Sequence, residues 1–144
     1  HDARWEDNSM GSNFLLDWGG INQEFAAGNI GMYTSGSDVY TALVRDFGSL
    51  ERWQAQFVAM GKALGGGSGW VLLTYSHRDK KLINQWAADH TCCLAGGTPI
   101  LAMDMYEHSY HMDYGANAAA YVETFMKNVN WGNALRLCHN AANV

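Results

Sequence analysis

Three short β-prone segments lie between residues 70 and 103, and helical patterns precede and follow them. The first, Trp70 to Tyr75, is almost continuously apolar, as buried strands typically are. A polar turn separates it from the second, Leu82 to Ala87, and Gly96-Gly97 precedes the third, Pro99 to Met103. The first two segments are predicted to form a hairpin, and the third to complete an antiparallel sheet.

The helices are predicted from N-capping residues and from apolar residues at helical spacing. Ser37, Ser49 and Asn117 each stand directly before such a pattern. The predicted helices cover residues 37–47, 49–64, 117–129 and 133–141. We therefore expect an α+β domain over residues 37–144, in which a three-stranded antiparallel sheet is flanked by helices.

Residues 1–36 differ in composition from the rest of the chain. They are rich in glycine and asparagine, carry scattered aromatic residues and keep no long helical period. We expect an irregular N-terminal extension or the remnant of a preceding helical unit. Because the sequence starts with His1 and not with Met, we also expect it to be a processed or trimmed product.

Charge and hydropathy exclude several classes of function. The net charge is −5 and the nine Lys and Arg residues do not cluster, which argues against a nucleic-acid surface. No apolar run approaches the length needed to span a bilayer. The three cysteines fit no zinc-binding spacing, so we expect buried small side chains in a reducing compartment such as the cytoplasm or an organelle matrix.

The densest group of polar side chains follows the third predicted strand, at residues 104–111. Asp104 and His108 are four positions apart, so a strand end followed by one helical turn could bring them to one ion. A carboxylate and a neutral imidazole suit iron or manganese better than calcium or magnesium. A simple Asp–His hydrogen bond remains the alternative.

The run Asp-Met-Tyr-Glu-His-Ser-Tyr at 104–110 resembles the Asp-x-Trp-Glu-His-Ala-Tyr signature of the iron/manganese superoxide dismutases. Further motifs resemble that family in the same order from Ser37 to about Cys138. They are Asp-Phe-Gly-Ser at 46–49, Gly-Ser-Gly-Trp at 67–70, Gly-Gly-Thr-Pro at 96–99 and Val-Asn-Trp at 129–131. The resemblance implies the fold of that family's C-terminal domain for residues 37–144.

The resemblance also implies roles for four residues. Asp104 and His108 correspond to two of the family's four protein ligands to iron or manganese. Glu107 corresponds to a glutamate that reaches across a dimer interface to the partner's ligand histidine. His90, in Ala-Asp-His-Thr, corresponds to a residue that donates a hydrogen bond to metal-bound solvent.

The family's other two ligands come from an N-terminal helical hairpin, which residues 1–45 do not clearly show. One alignment of this segment places Asn13 where a ligand histidine is expected. The other makes His1 a third ligand, but it needs a long insertion before Ser37, so we prefer the first. An amide oxygen binds iron or manganese more weakly than imidazole does.

Two functions follow from the sequence. The first is a non-catalytic structural or interaction subunit of a homodimer or larger assembly, with an incomplete site that holds no metal. The second is an active dismutase that converts superoxide to oxygen and hydrogen peroxide, with the remaining ligands from a missing segment or another chain. On the sequence alone we favour the first, because a fold is often retained in proteins that have lost their catalytic residues.

Overall fold

The computed structural model describes residues 37–144. Two helices precede the sheet, three strands form it, and a short 3₁₀ turn and three further helices follow. The elements are α1 (Ser37–Phe47), α2 (Leu50–Ala63), β1 (Trp70–Ser76), β2 (Lys81–Ala87), β3 (Gly97–Asp104), the 3₁₀ turn (Glu107–Ser109), α3 (His111–Tyr114), α4 (Ala118–Lys127) and α5 (Trp131–Ala142). The predicted α+β class and all three strands are confirmed.

The sheet is antiparallel, with the order β2-β1-β3. Trp70 pairs with Ala87 on one side and with Asp104 on the other, so these three residues form one row across an end of the sheet. The register between β1 and β3 shifts once, between Leu73 and Thr74. β3 ends in this row, at Asp104. The polar motif of residues 104–111 therefore begins at this end of the sheet.

One face of the sheet packs against the helices. Val71 and Leu73 of β1 are completely buried there, together with Trp53 and Phe57 of α2. The Trp53 indole N–H donates to Asn84 Oδ1 on β2 at 3.1 Å, which ties α2 to the edge strand. Burying each such side chain contributes about 1.5–3 kcal/mol, so this face is the main source of the fold's stability.

Two of the predicted N-caps are confirmed. Ser49 Oγ accepts from Arg52 N–H, and Asn117 Oδ1 accepts from Ala120 N–H, as the sequence indicates. The last helix begins at Trp131 and not at Asn133, because Asn130 is its N-cap and accepts from the Asn133 N–H. None of the helices in residues 37–144 is long and apolar enough to cross a membrane.

The loop of residues 88–96 lies over the other face of the sheet. Gln85 of β2 holds it at two points, because its amide N–H donates to Cys92 O and its Oε1 accepts from Leu94 N–H. Under this cover Leu72 and Thr74 are buried. The Gln85 side chain thus anchors the loop, which carries both His90 and a pair of cysteines.

The expectation that all three cysteines are buried is wrong for two of them. Cys138 is buried on α5, whereas Cys92 and Cys93 are exposed. The loop is fixed through its main chain, at Cys92 O and Leu94 N–H, and this attachment does not require the two thiols to enter the core.

Gly69 allows the chain just before β1 to approach the end of β2 closely, in the part of the sheet next to Asp104. Its φ is +139°, and a Cβ there would lie 2.6 Å from Ala87 O. Gly69→Ala is expected to lower the free energy of unfolding by about 2–4 kcal/mol, because it combines an unfavourable backbone conformation with a clash against main chain. Urea denaturation measures the change.

Gly66→Ala is the matched control. Its φ is +75°, but a Cβ would meet no atom of the described residues within 4 Å. Its free energy of unfolding should fall by only about 1 kcal/mol, the cost of placing alanine at a positive φ. Equal losses of unfolding free energy in the two variants would show that the new Cβ at position 69 does not clash with Ala87 O.

Candidate metal centre

Asp104 is the last residue of β3, and the turn that follows folds back onto it. Its Oδ1 accepts from Tyr106 N–H at 2.9 Å, and the Ser109 hydroxyl donates to its carbonyl oxygen at 2.8 Å. This compact turn brings His108 Nε2 to 3.1 Å from Asp104 Oδ2. The structure therefore brings together the two residues that the sequence proposes as ligands.

The spacing of the two side chains is compatible with a hydrogen bond and with a shared ion. Ligand atoms that bind one transition-metal ion at about 2.1 Å and at right angles lie about 3 Å from each other. The Asp104 carboxylate is 21% exposed and the His108 ring 70% exposed, so the pair opens to the surface on the histidine side. A carboxylate and an imidazole are a suitable partial donor set for iron or manganese.

Aromatic rings extend this pair towards the loop over the sheet. Tyr106 stacks on His108, with ring centroids 5.7 Å apart, and on His90, at 5.0 Å. Trp70 contacts both Tyr106 and His90 edge to face. The Tyr106 ring thus lies between the rings of His90 and His108.

The tautomer of His90 is fixed by Trp70. The Trp70 indole N–H donates to His90 Nδ1 at 3.0 Å. An indole N–H is only a donor, so Nδ1 must be the acceptor and neutral His90 carries its proton on Nε2. The other nitrogen of the ring is therefore a hydrogen-bond donor.

Two tyrosines pack between the turn and the rest of the domain. Tyr110 is buried, its hydroxyl accepts from Gly66 N–H at 3.2 Å, and its ring stacks on Tyr121 of α4. Burial raises the pKa of Tyr121, and the charge of Asp104 acts in the same direction, although a hydrogen bond with Ser109 opposes it. Both rings fix the motif against α4.

The described residues do not complete a metal site. In residues 37–144 no group of three or more His, Cys, Asp or Glu side chains could hold an ion. An ion held by Asp104 and His108 would therefore need further ligands from outside that range. His1 and Asn13, which the sequence places in competing alignments, lie outside the described residues, and Glu107 is exposed in the 3₁₀ turn.

Sequence reasoning missed the roles of Trp70 and Tyr106. Trp70 and His90 are 20 positions apart, and only the strand register brings them together. Tyr106 lies inside the motif, but its spacing gives no indication that its ring separates two histidines.

Comparison with known proteins connects this geometry to one family. The family model for iron/manganese superoxide dismutases, C-terminal domain, matches residues 35–136. The iron superoxide dismutase of Cupriavidus metallidurans is 76% identical over 94 residues, which is 65% of this chain and 48% of that protein. Superoxide dismutase [Mn] 2 of Halobacterium salinarum is 41% identical over 90 residues, 62% of this chain and 44% of that protein. The chain spans about half the length of these curated relatives.

Replacement of Trp70 tests the tautomer of His90. Trp70→Phe keeps an aromatic ring but removes the N–H that binds Nδ1, so the proton of neutral His90 should redistribute between its two nitrogens. We expect the ¹⁵N resonances of the His90 ring to move towards each other in histidine-labelled protein, with a His90→Gln sample for assignment. Trp86→Phe, at a half-exposed position of β2, is the control and should leave them in place. Unchanged His90 resonances in Trp70→Phe would refute the assignment.

Proposed function

The chain belongs to the iron/manganese superoxide dismutase family, and on that basis we propose that it is part of an active superoxide dismutase. Residues 37–144 act as the C-terminal domain of that enzyme, and Asp104 and His108 supply two of its metal ligands. The observation that carries the proposal is the 3.1 Å spacing of Asp104 Oδ2 and His108 Nε2 at a rigid strand end. The remaining ligands come from residues 1–36, from a preceding segment or from another chain.

The similar proteins favour the enzyme over the non-catalytic subunit. The relatives at 76% and 41% identity are named as iron and manganese superoxide dismutases. The motif also keeps the carboxylate and the imidazole that the enzyme requires, at ligand spacing. The preference for a scaffold subunit, drawn from the N-terminal sequence, therefore has less support than its alternative.

Each described residue of the site has a defined task in this proposal. A bound iron or manganese ion would supply one-electron chemistry, by which one superoxide is oxidised and the next is reduced. Asp104 contributes negative charge, and its orientation is fixed by the Tyr106 N–H. His90 presents Nε2–H as a donor because Trp70 occupies Nδ1. That donor can deliver a proton or orient solvent near the two ligands.

The proposed dimer rests on Glu107. This residue is exposed beside the His108 ring, in the 3₁₀ turn that follows β3. We propose that it accepts a hydrogen bond from His108 of the partner subunit, so that each ligand histidine is oriented by the other chain. Such a charge-assisted bond is short and directional, and two copies of it would join the two sites.

Metal content and activity of an Asp104 variant test the proposal. Asp104→Asn keeps the size of the side chain but removes the charge that binds the ion. We expect the complete chain to contain stoichiometric iron or manganese by elemental analysis and to dismutate superoxide above a metal-free control. The variant should lose more than about 90% of both, since loss of even a residue that orients a ligand costs 10–100-fold.

Glu51→Gln is the matched control, because it removes one negative charge at an exposed position of α2. It should retain the metal content and activity of the unaltered chain. If the unaltered chain has neither, and Asp104→Asn changes only the denaturation midpoint, the non-catalytic subunit is the correct function.

The dimer is tested by Glu107→Gln. Loss of the carboxylate charge should weaken the two symmetric bonds to His108, by about 1.5–3 kcal/mol each. Light scattering coupled to size exclusion should then show a dilution-dependent monomer, whereas Glu51→Gln should remain dimeric. A monomer in the unaltered chain, at all concentrations, would contradict the proposed interface.

A further inference from the structure

The loop that carries His90 also presents two adjacent thiols to solvent. Cys92 and Cys93 are both exposed, in contrast to Cys138 on α5, which is 5% exposed. The two cysteines are neighbours in sequence, so a rearrangement within the loop is enough to bring their sulfur atoms together. Their position on an anchored loop makes them candidates for chemistry.

The two thiols have different surroundings. Asp89 accepts hydrogen bonds from the Thr91 hydroxyl at 2.7 Å and from the Thr91 N–H at 2.8 Å. These bonds, that of the Thr91 hydroxyl first, hold the pKa of Asp89 at about 2. Cys92 is held through its carbonyl oxygen, which accepts from the Gln85 amide, whereas Cys93 borders a pocket.

Cys93 borders a pocket of about 270 Å³ between the loop and the sheet. Trp70, Leu72 and Ala102 form its floor, and His90 lines the same pocket. Since Trp70 and His90 belong to the ring cluster beside Asp104 and His108, the pocket adjoins the candidate metal centre. A small neutral oxidant in this pocket would be in contact with the Cys93 sulfur.

We propose that Cys93 and Cys92 form a reversible thiol pair that is oxidised by hydrogen peroxide, with Cys93 as the attacking and Cys92 as the resolving residue. The proposal goes beyond superoxide dismutation and does not depend on it, because any source of peroxide suffices. Cys93 is assigned the first step because it lines the pocket and Cys92 does not.

The chemistry balances in two steps. The Cys93 thiolate attacks one peroxide oxygen, an S–O bond forms, the O–O bond breaks, and hydroxide leaves to take up the proton that Cys93 released. The sulfur loses two electrons and peroxide gains them. The Cys92 sulfur then attacks the Cys93 sulfenic acid, an S–S bond forms, the S–O bond breaks, and the Cys92 proton leaves with the hydroxide as water.

The product should be easily reduced. Adjacent Cα atoms lie about 3.8 Å apart across a trans peptide, whereas disulfides usually join Cα atoms about 4.4–6.8 Å apart. A disulfide between neighbours is therefore strained, and strained, exposed disulfides are the labile ones. The disulfide is therefore better suited to a reversible modification than to a structural crosslink. The loop does not need a crosslink, because Gln85 already holds it.

Counting free thiols after treatment with hydrogen peroxide tests the proposal on the complete, metal-free chain. We expect two of the three cysteines to become unreactive towards N-ethylmaleimide, and dithiothreitol to restore both. The proteolytic peptide that contains residues 92 and 93 should be lighter by two hydrogen atoms. Cys138 should stay reduced in the folded chain and serves as the internal control.

Two variants separate the assigned roles. Cys92→Ser should stop at the sulfenic acid, so that dimedone labels Cys93 stoichiometrically. Cys93→Ser should give no dimedone adduct at Cys92 under the same conditions. Both positions are exposed, so neither variant should alter the circular dichroism spectrum.

Three results would overturn the proposal. In the first, both thiols of the folded chain remain reactive towards N-ethylmaleimide after peroxide treatment. In the second, they oxidise no faster than in urea-unfolded chain. In the third, only disulfides between two chains form, because an intramolecular ring is the product that the sequence adjacency requires.

Discussion

The backbone pairing of β1 with β3 at Trp70 and Asp104 determines the geometry of the whole candidate site. β3 ends at this pair, with Asp104 as its last residue. One further backbone hydrogen bond follows, in which the Met105 N–H donates to Gly69 O at 2.9 Å. The carboxylate, the 3₁₀ turn and the imidazole all follow from that end point. On the other side of β1, Trp70 reaches His90. One row of the sheet thus positions both the ligand pair and the donor histidine, and regular strands hold side chains more rigidly than loops do.

The local hydrogen bonds of Asp104 explain how half a metal site can be stable in a folded domain. A partly buried carboxylate without partners would be unfavourable. Asp104 has the Tyr106 N–H on one oxygen and His108 on the other. The pair is therefore satisfied as a polar unit whether or not an ion is bound. This is why the same two residues are consistent both with an enzyme and with a remnant of one, and why metal content distinguishes the two functions better than geometry does.

Local sequence patterns predicted the parts of this domain that depend on neighbours in the chain. Ser49 and Asn117 cap helices as expected, and Asp104 and His108 meet because they are four positions apart. Contacts across the sheet were not predictable in the same way. The Trp70–His90 bond depends on strand register and on the path of the 88–96 loop, and one sequence does not specify either. The exposure of Cys92 was mispredicted because its residue type favours burial, while the anchoring by Gln85 that places the loop is a tertiary feature.

The hydrogen bond between Asp104 and His108 also limits how an ion can enter. When His108 carries its proton on Nε2, that proton lies between the two groups, and an ion that binds both must displace it. Either the proton moves to the other ring nitrogen or it leaves the protein, so metal binding is coupled to the position of the His108 proton. Glu107 is the exposed neighbour of His108, and an acceptor for Nδ1–H from a second subunit would favour the tautomer that frees Nε2. Dimer formation and metal affinity would then be linked through one imidazole, since each favours the same tautomer.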